Sequence, residues 1–164
     1  MQTTDDGRGY RPLREANTHY LGSSRGVRCS PDQVLIVSGV QQVLDLLARV
    51  LLKRDDQVWM EDPGYFGASI AFGNVGAKII PVPVDADGLS VSAGLRICPR
   101  AKGAYVTPTH QLPLGITMSL DRRMAILKWA SRAGAFVIED DYDSEYRFEG
   151  QPVPASLPPW QTMS

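Results

Sequence analysis

Residues 57–82, QVWMEDPGYFGASIAFGNVGAKIIPV, read as one strand–helix–strand unit. Gln57-Val58-Trp59-Met60 is a short apolar run, 64–74 is a small-residue helix entered through Pro63-Gly64, and 78–82 is a second, β-branched run. Asp85-Ala86-Asp87-Gly88 then makes a turn. Strands that alternate with helical segments imply βαβ units and a mostly parallel sheet.

The same alternation continues on both sides. Downstream come a short helix at 91–95, a strand at 104–106, an amphipathic helix at 121–133 and a strand at 136–138. Upstream, Val34-Leu35-Ile36-Val37 is suited to a fully buried strand. The stretch 40–52 carries Val40, Val43, Leu44, Leu47, Val50 and Leu51 at helical spacing and ends in Lys53-Arg54, favourable at a helix C-terminus. Segment 12–21 reads as a helix with proline in its first turn and Leu13, Ala16, Tyr20 and Leu21 on one stripe. The fold class is therefore α/β, a three-layer α/β/α arrangement around a mostly parallel sheet. Residues 1–150 form the domain, and 151–164, with four prolines and no periodicity, form a tail.

A chain of 164 residues suits one domain, and 15 glycines with 12 prolines fall well short of low-complexity disorder. Net charge is −1, so no global field recruits nucleic acid or an anionic membrane. Two cysteines, Cys29 and Cys98, have neither CxxC nor Cys/His spacing and read as reduced thiols. The N-terminus has no apolar signal-peptide core and no uncharged apolar run approaches a bilayer span, so the expected location is cytoplasmic.

In an open α/β sheet, chemistry collects at the carboxyl ends of the strands. Four such ends are polar here. Ser38-Gly39-Val40-Gln41 opens a helix whose free N–H groups suit a phosphate, and it is equally an ordinary N-cap and turn. There is no GxGxxG and no GxxxxGK[ST]. Glu61-Asp62-Pro63-Gly64-Tyr65 carries an aromatic ring over the sheet edge, or simply a packed tyrosine. The loop 107–115 holds His110, a candidate ligand contact that also fits a surface histidine. Ile138-Glu139-Asp140-Asp141-Tyr142-Asp143 places carboxylates after a buried strand, a costly position unless a cation meets them. Asp141, Asp143 and Glu145 copy the first ligands of an EF-hand loop, but Tyr146 replaces its glycine and Pro152 its glutamate, so no metal site is expected. A solvated acidic loop stays open as the plainer alternative.

These motifs, in this order, resemble the aminotransferase-like domain of MocR-type regulators of the GntR family and, more distantly, the class I/II aminotransferases. The resembling residues are PLREA (12–16), SRGVRCSPDQV (24–34), SGVQQVLDLL (38–47), EDPGY (61–65), TPTHQLPLG (107–115), IEDDYDSEYR (138–147) and GQPVPA (150–155). The resemblance implies part of the large domain of a fold-type-I transferase that uses pyridoxal 5′-phosphate (PLP). It assigns the Val40 and Gln41 N–H groups to the PLP phosphate and Tyr65 to a stack on the pyridine ring. His110 falls on the 3′-oxygen side, Asp140 on the pyridinium nitrogen and Tyr142 on the phenolic oxygen. An amino-acid ligand and a homodimer are implied too.

In the family a lysine beyond the acidic motif holds PLP covalently, and a winged helix-turn-helix precedes the domain. The lysines here are Lys53, Lys78, Lys102 and Lys128, none in the required place. The N-terminal 28 residues, with five arginines against three acids, are too weakly basic to form a DNA-binding module. The expectation is a partial PLP-binding effector domain that neither transaminates nor contacts DNA directly. A fragment of an amino-acid aminotransferase and an inert gene remnant stand as alternatives.

Overall fold

The computed structural model describes residues 7–143, which divide into 7–40 and 41–143. The expected tail at 151–164 lies outside the described residues.

In the first unit, α1 (Arg11–Arg25) carries Pro12 in its first turn and ends on Gly26, whose left-handed φ of 68° lets its N–H reach the Leu21 carbonyl. The apolar stripe exists, but Leu13 and Tyr20 are exposed and the buried positions are Arg14 and Arg25. Arg14 Nε and Nη1 donate to the carbonyls of Gly9 (3.1 Å) and Pro31 (3.0 Å), so a guanidinium ties the helix to the segments flanking it. A 3-10 turn follows at Pro31–Gln33.

Residues 34–37 are not a strand, contrary to the sequence expectation. The Ile36 N–H reaches the Arg8 carbonyl at 2.9 Å and the Val34 N–H turns back to the Pro31 carbonyl at 3.3 Å, while Leu35 is exposed. β-Branched residues favour extended backbone, but a strand also needs a neighbour along its length.

The second unit is built on α2 (Val40–Leu51, from its second residue on), β1 (Gln57–Asp62), α3 (Phe66–Asn74), β2 (Lys78–Asp85), β3 (Gly88–Leu89), α4 (Val91–Ile97), β4 (Gly103–Val106), α5 (Leu120–Ala133) and β5 (Phe136–Glu139). The sheet order is β3-β2-β1-β4-β5, parallel except for β3, which forms a two-residue hairpin with β2 (Val84 opposite Leu89, Asp85 opposite Gly88).

Strand side chains alternate between two cores. Val58, Met60 and Tyr105 pack with Leu44 and Ala48 of α2 and with Ala68, Ala71 and Phe72 of α3. Trp59, Ala104 and Val106 face Val91 and Ala93 of α4 and Ile126 and Trp129 of α5. Right-handed crossovers require this split, because β1→β2 and β4→β5 run in opposite directions across the sheet. Trp59 stacks on Trp129 with ring centroids 3.7 Å apart, and their indole N–H groups donate to the carbonyls of Cys98 and Pro99. Among the described residues no helix is long and apolar enough to cross a membrane.

Candidate functional site

Strand order reverses beside β1: one crossover leads from β1 to β2, and the chain then passes back to β4 on the other side. The crevice at the carboxyl ends of β1 and β4 is therefore where a doubly wound sheet takes a ligand. Three acidic or hydroxyl groups stand at the carboxyl ends of β1, β4 and the adjoining β5: Glu61 near the end of β1, Thr107 just after β4 and Asp140 just after β5.

Glu61 is 5% exposed. Its Oε2 accepts from Thr107 Oγ1 (2.6 Å), the Thr107 N–H (3.2 Å) and Gln111 Nε2 (3.4 Å), while Oε1 is buried without a partner. Burial pushes the carboxyl above its ordinary pKa and the nearby Asp140 charge adds to this. The bonds from Thr107 and Gln111 offset only part of the rise. Gln111 also donates to the carbonyls of Pro63 (2.8 Å) and Leu112 (2.8 Å), and its side-chain oxygen receives the Leu114 N–H at 3.0 Å. One buried amide thus ties the loop after β4 to the turn after β1.

Asp140 continues the β4–β5 ladder through its N–H to the Val106 carbonyl (2.9 Å), which fixes where its carboxylate leaves the sheet. Oδ2 accepts from Tyr105 Oη at 2.5 Å. Tyr105 is buried, with the Phe72 ring set edge-on at 6.0 Å. Burial, the bond to Asp140 and the charges of Asp140, Glu61 and Tyr65 all push its phenol far above its ordinary range.

Tyr65 sits at the N-cap of α3, and its hydroxyl accepts from Gln41 Nε2 at 2.7 Å. Both groups lie over Gly67, where an added Cβ would come within 2.2 Å of Gln41 Nε2 and 2.6 Å of Tyr65 Cζ. Only glycine leaves room for this pair. Val40 is the first residue of α2 and is exposed. His110 is exposed, its Nδ1 3.5 Å from Asp143 Oδ2 and its ring edge-on to Tyr142 at 6.3 Å. Partial burial, then the charges of Asp143, Asp140 and Glu61, raise the Tyr142 pKa.

The residues singled out from sequence thus form a Gln41–Tyr65 pair, a His110–Tyr142–Asp143 group and an Asp140 held by Tyr105. Sequence reasoning missed Glu61, Tyr105, Thr107 and Gln111. The available signal was an acid inside the apolar run 58–61, which needs donors from a neighbouring strand end.

The four lysines stand elsewhere. Lys53 follows α2, Lys78 opens β2 and pairs with Asp55 at 2.8 Å, Lys102 precedes β4 and Lys128 lies on α5. Among the described residues no three His, Cys, Asp or Glu side chains are grouped to hold a metal.

The profile of the family described as Aminotransferase class I and II matches residues 2–150. The probable rhizopine catabolism regulatory protein MocR of Rhizobium meliloti is 48% identical over 147 residues, which cover 90% of this chain and 29% of that protein. The HTH-type pyridoxine biosynthesis transcriptional regulator PdxR of Corynebacterium glutamicum is 36% identical, covering 87% and 30%. The kynurenine aminotransferase of Pyrococcus horikoshii, solved in complex with PMP, superposes with a TM-score of 0.85 at 35% identity, over 94% of this chain and 40% of that one. The chain thus spans less than half the length of each of these relatives.

Proposed function

The chain belongs to the class I and II aminotransferase family, and from that premise we propose that it is the PLP-binding part of an aminotransferase-like effector domain in a MocR-type transcriptional regulator. One observation carries the cofactor reading. At the reversal of strand order, Glu61 and Asp140 receive hydrogen bonds from neutral donors only, so the crevice is an acidic site suited to a cationic ring. The high similarity to MocR supports the regulator branch.

The residues present fit the cofactor. The Val40 and Gln41 N–H groups, at the start of a 12-residue helix, would take the phosphate. Tyr65, steadied by Gln41 and by the clearance over Gly67, would lie against the pyridine ring. Asp140 would hold the proton on the ring nitrogen. Tyr142 would donate to the phenolic oxygen, and His110 would border its 3′ side. When bound, the cofactor supplies a protonated ring that withdraws electrons from an amino-acid ligand. With every lysine of the chain away from the carboxyl ends of the strands, binding by these residues is non-covalent. Covalent attachment, DNA contact and the second subunit of a homodimer belong to the whole regulator.

The test is titration of the chain with pyridoxamine 5′-phosphate, whose amine cannot react with lysines. Saturable binding that Asp140→Asn weakens by roughly 10–100-fold is the expected result. No saturable binding, or binding indifferent to Asp140, overturns the reading. A helix-turn-helix encoded upstream of the segment separates the regulator from the second reading, part of an amino-acid aminotransferase, which the 35% identity to an enzyme favours.

A further inference from the structure

Tyr105 lies in the middle of the β4 apolar run, and a tyrosine there has an obvious plain use: its ring fills space between β4 and Phe72. Its hydroxyl does something a core residue need not do. It reaches Asp140 Oδ2 at 2.5 Å, 35 residues on in the chain and across to the end of the neighbouring strand. The backbone of Asp140 is already held by the bond to Val106, so the phenol restrains what is left, the two side-chain torsions that orient the carboxylate. Oδ1 makes no hydrogen bond among the described residues, and Asp140 is only half-buried.

We propose that Tyr105 is a positioning residue for the cofactor's ring nitrogen: from the core side its phenol holds one oxygen of Asp140, so that the other is presented to the pyridinium. This rests on the cofactor reading above. Burial and the adjoining carboxylate push the phenol well above its ordinary range, so the bond runs from tyrosine to aspartate. Oδ2 is thereby kept an acceptor, turned toward the core and away from the ligand. An aspartate held by one buried donor also loses less rotational freedom on binding than a free one.

The experiment measures two dissociation constants for each protein, one for pyridoxamine 5′-phosphate and one for the analogue whose ring nitrogen is replaced by C–H. The unaltered chain is compared with Tyr105→Phe, which keeps the ring and its packing, with Asp140→Asn and with the double variant. The readout is the preference for the nitrogen-bearing ligand, the ratio of the two constants. Partial unfolding weakens both ligands alike and leaves that ratio unchanged. Tyr105→Phe is expected to cut the preference roughly fivefold, the worth of one buried hydrogen bond. In the Asp140→Asn background it is expected to cut nothing further. A preference unchanged in Tyr105→Phe, or a further loss in the double variant equal to that in the single, overturns the inference while leaving PLP binding intact. Failure of the unaltered chain to bind either ligand overturns the cofactor reading itself.

Discussion

Two carboxylate-bearing strand ends lie in the same sheet and are answered in opposite ways. At the end of β2, Asp85 meets Arg122, whose Nη2 is 3.0 Å from both carboxylate oxygens and whose Nη1 takes the carbonyls of Gly88 (3.0 Å) and Leu89 (2.6 Å). At the ends of β1 and β5, Glu61 and Asp140 meet a threonine, a glutamine and a tyrosine. The first region is neutralised from within and closes a hairpin. The second has no cationic partner for either carboxyl group among the described residues and stands where the strand order reverses. A fold that needed only to be stable would have no reason to treat the two differently.

Adjacent residues on α5 serve both regions, and replacing them is the strongest way to break the comparison. Arg123 is buried and donates to the carbonyls of Met118 (3.2 Å) and Pro108 (3.0 Å), with Nη1 3.8 Å from Glu139. It holds the loop on which Gln111 and His110 are carried. Arg123→Ala is expected to cost about 3–5 kcal/mol in denaturant unfolding, since it removes a buried guanidinium with its bonds to two carbonyls and its charge beside Glu139. Arg122→Ala, at a site where Asp85 is half exposed, is expected to cost about 1–2 kcal/mol and to leave ligand binding at the second region unchanged. Equal costs for the two variants would mean the hairpin end is as deeply built as the crevice.

Stability against pH sharpens the contrast, because the two regions have opposite signs. Burial alone would raise the Asp85 pKa, but the bonds from Arg122 and the Asp87 N–H, with the Arg122 charge, bring it below its ordinary value. Its contribution is present above the unfolded-state pKa and is lost as pH falls through the folded value. Glu61 is raised, so its contribution is complete below its unfolded-state pKa and is lost as pH rises through the folded value. Glu61→Gln is therefore expected to flatten the decline in stability above about pH 4.5, while Asp85→Asn flattens the decline on the acid side. Chemical denaturation from pH 3 to 8 reads both. A Glu61→Gln profile parallel to that of the unaltered chain would show the carboxyl ionised in the fold.

The repeated strands and helices of residues 57–139 were legible because each is a run with its own period, bounded by Gly, Pro or Asp. Two features were not. Residues 34–37 have strand composition but pair with no strand, and pairing is not a property of a segment taken alone. Gly88-Leu89 is too short to show a period, and only its register against Val84 and Asp85 makes it a strand. In the site, residues at loop positions were found by their chemical type. Glu61 and Tyr105 were passed over because their partners lie 46 and 35 residues away. Sequence pattern reports which face of an element is buried, and it is silent on which donor meets which acceptor across a sheet.

The smallest effect tests where the charged region ends. Asp143 shares the acidic motif with Asp140, yet its carboxylate stands at an ion-pair distance of 3.5 Å from an exposed His110. An interaction that open to solvent is worth little in either protonation state of the histidine. Asp143→Ala is therefore expected to change the affinity for pyridoxamine 5′-phosphate by less than about twofold, against the far larger loss for Asp140→Asn. The difference would come from position alone: Asp140 is fastened by the β4–β5 ladder and by Tyr105, and Asp143 by neither. A tenfold loss in Asp143→Ala would instead make the whole acidic loop one electrostatic unit, and the part played by Tyr105 would then be shared with charges it never touches.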